Sequence, residues 1–243
     1  MTGAKPEKTP MCPGTKLSLV SDTLLANPKL YRSVIGALQY LTMTRPDKAF
    51  VVNRLNQFLK ALTTSHYSTC KRVLRYLVGT PTLGICFKAA PTLDLQGFTD
   101  ADWASNVDDR KSTSVYCVFL GGNLISWCSK KQQVIARSST KFEYRSLALA
   151  TAELFWIQLF LTELTFPVSG CLILWCDNMG ARPLAPNPVF HSQTKHIEIY
   201  LHFVRDRVLA QQLDVRYVDS AHQISDLITK ALCLPKKRLL MTW

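Results

Sequence analysis

The segment SVYCVFLGGNLISWC, residues 114–128, predicts two β-strands joined by a tight turn. The runs at 114–120 and 123–128 are apolar and rich in β-branched and aromatic residues, which is typical of strands. Gly121 and Gly122 stand between them, and glycine adopts the positive φ angles of a two-residue hairpin without strain. The segment therefore predicts an antiparallel hairpin within a sheet.

Working outward from this hairpin, strand and helix patterns alternate along the chain. Further strand patterns lie at 83–88, 93–99, 172–176 and 213–218. A long helical pattern covers 139–164, and shorter ones cover 177–184, 196–210 and 223–232. Antiparallel strands followed by alternating strands and helices predict a mixed α/β domain, which we place at 91–235.

Two segments precede this domain. Residues 1–27 contain Pro6, Pro10, Pro13 and Gly14 without periodicity, and this predicts a flexible arm. Apolar residues recur at helical spacing over 28–44, 46–62 and 64–78. We therefore expect residues 28–90 to form a small basic helical segment.

Charge is distributed unevenly over the 243 residues. The first 90 residues carry 13 lysines and arginines against three acids, whereas the remainder carries 16 against 14. A basic segment attracts polyanions through counterion release, so nucleic acid is the expected partner, with an ordinary solvated surface as the alternative. With 47% apolar and 19% charged residues, the chain is not a disordered one. We expect no membrane partner, because the longest apolar stretch, 147–161, is interrupted by polar residues.

Four acids occupy positions from which they can converge. Asp100 and Asp177 each end a predicted strand, and Glu143 and Asp226 each lie in the first turn of a predicted helix. Four neighbouring carboxylates repel one another unless a divalent cation neutralises them. Oxygen ligands without cysteine or histidine favour Mg²⁺ or Mn²⁺, and two such ions about 4 Å apart can clamp the attacking and leaving oxygens of a phosphodiester.

Each acid also has a purely structural explanation. Glu143 and Asp226 complement the dipole at a helix N-terminus, and Asp177 can cap the helix predicted after it. Asp102 competes with Asp100 for the role of first ligand, and we favour Asp100 because it lies nearer the centre of the strand.

Several ordered motifs resemble those of copia-type retrotransposon Pol polyproteins. In the ribonuclease H domain of that family the matching motifs are FTDADW (98–103), DDRKSTS (108–114), SSTKFEY (138–144), CDN (176–178) and HQISDLITK (222–230). Upstream, YRSVIGALQYLT (31–42) and KRVLRYLVGT (71–80) resemble the C-terminal linker segment of the reverse transcriptase. The resemblance covers about residues 16–232 and is closest to plant elements.

The resemblance implies a ribonuclease H-like fold with a five-stranded mixed sheet. It implies hydrolysis of the RNA strand of an RNA–DNA hybrid with two Mg²⁺ or Mn²⁺ ions bound by Asp100, Glu143, Asp177 and Asp226. Asp100 would bridge both ions, Glu143 and Asp177 would hold the ion near the leaving oxygen, and Asp226 would hold the ion that activates water. His222 lies near the position of a mobile histidine that related enzymes use for water handling or product release.

Nucleic-acid contacts and partners follow from the same resemblance. The residues expected to touch the hybrid are Arg110, Lys111, Ser139, Thr140, Lys71, Arg72 and Arg75, since cations and hydroxyls bind phosphates and 2′-OH groups. The expected partners are the hybrid and the reverse transcriptase portion of the same polyprotein, and the expected location is intracellular, in a cytoplasmic virus-like particle or in the nucleus. The alternative is an inactive remnant or recruited module that binds nucleic acid without turnover.

Overall fold

The hairpin predicted at residues 114–128 lies within a five-stranded sheet in the computed structural model of the chain. The structure describes residues 3–20, 22–103, 105–135, 139–166, 168, 170–178, 195–233 and 236, without the side chains of 139–141 and 195–198. The strands are β1 (Leu95–Asp102), β2 (Thr113–Leu120), β3 (Asn123–Lys131), β4 (Leu172–Cys176) and β5 (Leu213–Tyr217). Gly121 and Gly122 have φ angles of 54° and 77°, as the predicted turn requires.

The strand order is β3-β2-β1-β4-β5. The pairs β1–β2 and β2–β3 are antiparallel, whereas β1–β4 and β4–β5 are parallel. This is the mixed sheet that the ribonuclease H-like fold requires, and that prediction is confirmed.

Helices cover both faces of the sheet. Those of the N-terminal segment are α1 (Pro28–Leu41), α2 (Ala49–Asn56) and α3 (Thr64–Val78), and those of the sheet domain are α4 (Ser139–Glu163), α5 (Lys195–Leu209) and α6 (Asp226–Thr229). Within the described ranges, none of these helices is long and apolar enough to cross a bilayer.

Strand β2 is buried along nearly its whole length because both of its faces are covered. Tyr116 and Val118 pack with residues of α4, while Val115 and Cys117 pack with Ala49 of α2 and with residues of α6. This double burial explains the continuous apolar run in β2, since a strand with one solvated face would alternate apolar and polar residues. The N-terminal helices are therefore packed directly on the sheet.

The N-terminal segment differs from the expected flexible arm. Met11 and Leu17 are buried among the residues of α1, α2 and α3, and Glu7 forms ion pairs with Arg72 and Arg75 of α3 at 2.9 and 2.8 Å. The prediction of a loose arm over 1–27 is thus wrong for the described part of this segment, because apolar side chains and the carboxylates of Glu7 and Asp22 attach it to the helices.

Other boundaries also differ from the sequence patterns. The helix expected over 46–62 is a 3₁₀ turn at Pro46–Lys48 followed by α2, and the last helix shortens to α6. Residues 83–88 form no strand, because Lys88 pairs with the side-chain amide of Asn123 rather than with a neighbouring backbone. Most of the helix expected over 177–184 lies outside the described residues.

Candidate active site

The parallel pairing of β1 and β4 brings Asp100 and Asp177 together. Thr99 of β1 is in register with Cys176 of β4, so the two aspartates occupy the next position on adjacent strands. The carboxyl ends of adjacent parallel strands form the crevice in which open α/β sheets bind their ligands. The register thus gives the two acids neighbouring positions in the sheet, and their role as metal ligands stays a prediction.

Helix α4 carries the third acid, Glu143, and a hydrogen bond attaches this helix to β1. The Ser146 hydroxyl donates to the backbone carbonyl of Asp100 at 2.7 Å and lies 2.9 Å from Thr99 Oγ1. Glu143 lies three residues before Ser146, and residues at this spacing share one helix face. Glu143 is the fifth residue of α4 and so lies just after the first turn, in which the sequence analysis placed it.

The fourth acid is held by the segment that leads into α6. Gln223 donates a hydrogen bond of 3.0 Å to the carbonyl of Thr99, and Ser225 donates one of 2.8 Å to the Gln223 amide oxygen. These contacts fix Asp226, the first residue of α6, against β1. Its side chain is only 1% exposed, although its sequence position alone was compatible with a solvated helix cap.

The pKa values reflect the proximity of these acids. Burial raises the pKa of Asp100, and the negative charges of Asp177 and Asp226 raise it further, while Lys230 opposes them. Burial, followed by the charges of Asp100 and Asp177, raises the pKa of Glu143 to about 8. Acids from four separate parts of the chain therefore influence one another electrostatically.

Two lysines lie among the acids. Lys230 Nζ is 2.7 Å from Asp226 Oδ1 and 3.2 Å from Asp100 Oδ2, and Lys236 Nζ is 2.5 Å from Asp226 Oδ2. Burial alone would raise the pKa of Asp226, but the hydrogen bonds from the two lysines outweigh it and hold this pKa below its usual value. The lysines thus partly neutralise the cluster.

The donor set fits a hard divalent cation. It consists of carboxylate oxygens, the ligands preferred by Mg²⁺ and Mn²⁺, and the buried Asp100 Oδ2 receives no hydrogen bond in the structure. Within the described ranges, however, no three Asp, Glu, His or Cys side chains are close enough to form a ready-made metal site. A cation would have to draw the acids together and replace their contacts with the lysines.

Asp102 lies at the rim of the same cluster. It is two residues from Asp100 on β1, so both side chains are on one face of the sheet. Burial raises the pKa of Asp102, and the charges of Lys230 and Arg54 oppose this. Asp100 is more deeply buried, but the choice between the two as first ligand stays a prediction.

His222 lies outside the acid cluster, in an exposed loop. Its Nδ1 is 3.7 Å from Asp219 Oδ2, and its side chain is 72% exposed. The loop itself reaches the site, because the Ser220 hydroxyl donates a hydrogen bond of 3.2 Å to Asp177 Oδ2. His222 thus lies in a loop that contacts Asp177 through Ser220, while its own side chain faces Asp219, and its role stays a prediction.

The expected nucleic-acid contacts fall in three places. Arg110 is exposed in a turn with a φ of 55°, and the neighbouring Lys111 is 3.9 Å from Asp109. The side chains of Ser139 and Thr140 lie outside the described residues.

The third place is the basic surface of α3. Arg72 and Arg75 are ion-paired with Glu7, while Lys71 lies over the Tyr67 ring at 4.4 Å. The three cations are therefore on one helix, as predicted, but two of them already bind an acid of the same chain.

Sequence reasoning missed the residues that hold the acids in place. Ser146, Gln223 and Lys230 carried no obvious functional signal. Only Lys230 could have been found, because its position four residues after Asp226 allows an ion pair along a helix.

Comparisons with known proteins give the following similarities. No protein-family model matches the chain. The chain is 49% identical over 232 residues, 96% of its length, to the retrovirus-related Pol polyprotein from transposon RE1 of Arabidopsis thaliana. It is 34% identical over 239 residues, also 96% of its length, to the retrovirus-related Pol polyprotein from transposon TNT 1-94 of Nicotiana tabacum. The chain spans only 16% and 18% of these two relatives.

Among solved structures, the N-terminal RNase H domain of Rv2228c from Mycobacterium tuberculosis is similar to part of the chain. It is 10% identical, with a TM-score of 0.39, over 61% of this chain and 98% of that one.

Proposed function

Because this chain belongs to the Pol polyproteins of copia-type retrotransposons, we propose that its sheet domain is a ribonuclease H that hydrolyses the RNA strand of an RNA–DNA hybrid. The observation that carries the proposal is the placement of Asp100 and Asp177 on neighbouring parallel strands, where the charges of Asp177 and Asp226 raise the pKa of Asp100, and those of Asp100 and Asp177 raise the pKa of Glu143. Carboxylates that repel one another in this way are costly unless a cation neutralises them.

The four acids would together hold two divalent ions. Asp100 would bind both of them, with Glu143 and Asp177 as further ligands of one ion and Asp226 of the other, and the charges of Asp177 and Asp226 both act on Asp100. When bound, the ions lower the pKa of a water molecule and stabilise the charge that develops on the phosphate. Ser146 and Gln223 keep the acids in position, because each forms a hydrogen bond to the backbone of β1.

The proposed contacts to the substrate are cations outside the acid cluster. Arg110 and Lys111 lie in the turn between β1 and β2, and Lys71 adds positive charge on α3. Cations of this kind bind phosphates without reading base sequence. The reverse transcriptase portion of the same polyprotein is the proposed protein partner.

The test is Asp177→Asn in the full chain with labelled hybrid and Mg²⁺. This variant keeps the size of the side chain but removes a metal-binding charge, so cleavage should fall at least about 100-fold while hybrid binding remains measurable. Asp214→Asn is the matched control, because Asp214 lies on β5 and pairs with Arg216 at 2.7 Å. Undiminished cleavage by Asp177→Asn would reject the proposal.

A second candidate function is hybrid binding without turnover. The lysine contacts to Asp100 and Asp226 favour it, because a cluster already neutralised by lysines has less need of metal. In the same assay this function predicts retention of the hybrid without product in either Mg²⁺ or Mn²⁺. Binding should also weaken steeply as salt increases.

A further inference from the structure

The ammonium group of Lys230 is positioned where it contacts two of the proposed metal-binding acids at once. It is 2.7 Å from Asp226 Oδ1 and 3.2 Å from Asp100 Oδ2, so it bridges the acids of α6 and β1. A metal ion that used these two oxygens would occupy the same space as the ammonium group. Both cations cannot be there together.

The surroundings of Lys230 allow it to leave. Asp100 and Asp226 have side chains that are 4% and 1% exposed, whereas the Lys230 side chain is 42% exposed. Lys230 follows the last residue of α6 and has an extended backbone. Its flexible four-carbon stem can therefore move into solvent while the buried acids stay in place.

The structure also shows what Lys230 does for the acids when no metal is bound. Asp100 Oδ2 accepts no hydrogen bond, so the ammonium group is the cation that compensates its charge. Lys236 compensates the other oxygen of Asp226 at 2.5 Å. Without such cations, two buried carboxylates in mutual contact would repel each other.

From these contacts, and building on the function proposed above, we propose that Lys230 is a built-in competitor of the divalent ion. It bridges Asp100 and Asp226 in the metal-free protein and must withdraw into solvent before metal binds them. The residue thereby sets the metal concentration at which the site fills.

Metal affinity, measured without reference to cleavage, tests this role. The full-length chain and three variants are titrated with Mn²⁺ by calorimetry. Lys230→Met removes the competing charge, and it should bind Mn²⁺ about tenfold more tightly than the unmodified chain, since charge-assisted hydrogen bonds that the metal must displace contribute on this order. Lys230→Arg keeps the cation and should bind no more tightly than the unmodified chain.

Lys131→Met is the matched control for net charge. Lys131 pairs with Asp109 at 2.8 Å, at the end of β3, and its loss should change Mn²⁺ affinity less than about twofold, because exposed charges are screened. Equal affinity of Lys230→Met and Lys131→Met would overturn the proposal, as would absence of Mn²⁺ binding in both Lys230→Met and the unmodified chain.

Chemical acetylation of the unmodified chain tests the same step if Lys230→Met fails to fold. Withdrawal of Lys230 exposes its amine. Saturating Mn²⁺ should therefore raise the extent of acetylation of Lys230, relative to that of Lys131, by about threefold or more. Modification of Lys230 that is unchanged or lowered by Mn²⁺ would overturn the proposal. Neither readout uses cleavage, so a chain without nuclease activity can still support the role of Lys230.

Discussion

The hydroxyl of Ser146 donates a hydrogen bond of 2.7 Å to the backbone carbonyl of Asp100. This bond attaches the helix that carries Glu143 to the strand that carries Asp100. Both groups are buried, and the same hydroxyl also contacts Thr99 at 2.9 Å. The relative position of two of the proposed metal ligands therefore depends on a residue that binds no metal itself.

Replacing Ser146 with alanine should affect both stability and activity. The variant removes the buried hydrogen bond to the carbonyl of Asp100, which costs about 1–3 kcal/mol of unfolding free energy, while Thr99 keeps its bond to the carbonyl of Val115. Hybrid cleavage should fall as well, because Glu143 is no longer fixed against β1. Urea unfolding and the cleavage assay measure the two effects. Thr162→Ala on the exposed end of α4 is the control, and equal losses in both variants would contradict the role of Ser146.

The acids of the site could be predicted from sequence because of where strands end. Asp100 and Asp177 follow apolar runs that are recognisable as strands, and parallel neighbours place their carboxyl ends together. Lys230 was not predicted, since the sequence shows its spacing from Asp226 but not that β1 brings Asp100 within reach. A contact between residues 130 positions apart in sequence requires the tertiary structure.

The errors over residues 1–90 have a common physical cause. The alternating apolar residues at 83–88 are typical of a strand, yet this segment joins no sheet, and the backbone of Lys88 pairs with the side-chain amide of Asn123. Likewise, prolines predict irregular backbone correctly but do not show whether side chains such as Met11 and Leu17 are buried. Local patterns determine local conformation, whereas packing partners come from distant parts of the chain.

Leu17 tests whether the N-terminal segment stabilises the fold. Its side chain is 2% exposed among the helices of the N-terminal segment, so Leu17→Ala should lower the unfolding free energy by about 2–4 kcal/mol through lost burial and a residual cavity. Val20 is 89% exposed, and Val20→Ala should change the unfolding free energy by less than about 0.5 kcal/mol. Urea denaturation compares the two variants. Similar midpoints would show that the N-terminal segment does not stabilise the fold, as expected of a loose arm.

Lys48 is a buried amine without a hydrogen-bonding partner among the described residues. It is fully inaccessible in the 3₁₀ turn before α2. Burial, followed by repulsion from Arg45, lowers its pKa from 10.5 to about 7. Replacement by methionine, which has a similar shape and no charge, should therefore stabilise the protein by about 1–3 kcal/mol at pH 6.5.

The advantage of Lys48→Met should shrink as pH rises. Between about pH 7 and 10.5 the unfolded chain keeps the proton on Lys48 while the folded chain has lost it. The unfolding free energy of the unmodified chain therefore gains a contribution that increases with pH in this window. Denaturation of both proteins at pH 6.5 and 9 measures this contribution. Subtracting the unfolding free energy of the unmodified chain from that of Lys48→Met at each pH cancels the effect of the other titrating groups. A constant difference between them would show that Lys48 stays charged in the folded protein.

Glu7 controls how much positive charge α3 offers to nucleic acid. Its carboxylate binds Arg72 and Arg75 at 2.9 and 2.8 Å, so Glu7→Gln removes the negative charge that neutralises two cations that we expect to contact the hybrid. Hybrid binding should tighten about threefold at low salt, and the slope of log affinity against log salt should steepen by about one. Stability should change by less than about 1 kcal/mol, because such partly exposed pairs contribute little.

The matched control is Glu163→Gln at the exposed end of α4, which changes the net charge equally. Fluorescence polarisation with labelled hybrid over a salt series compares the two variants. If only Glu7→Gln steepens the salt dependence, the freed arginines bind phosphates. If the two variants behave alike, net charge alone sets the affinity, and Arg72 and Arg75 serve to attach the N-terminal segment rather than to bind the hybrid.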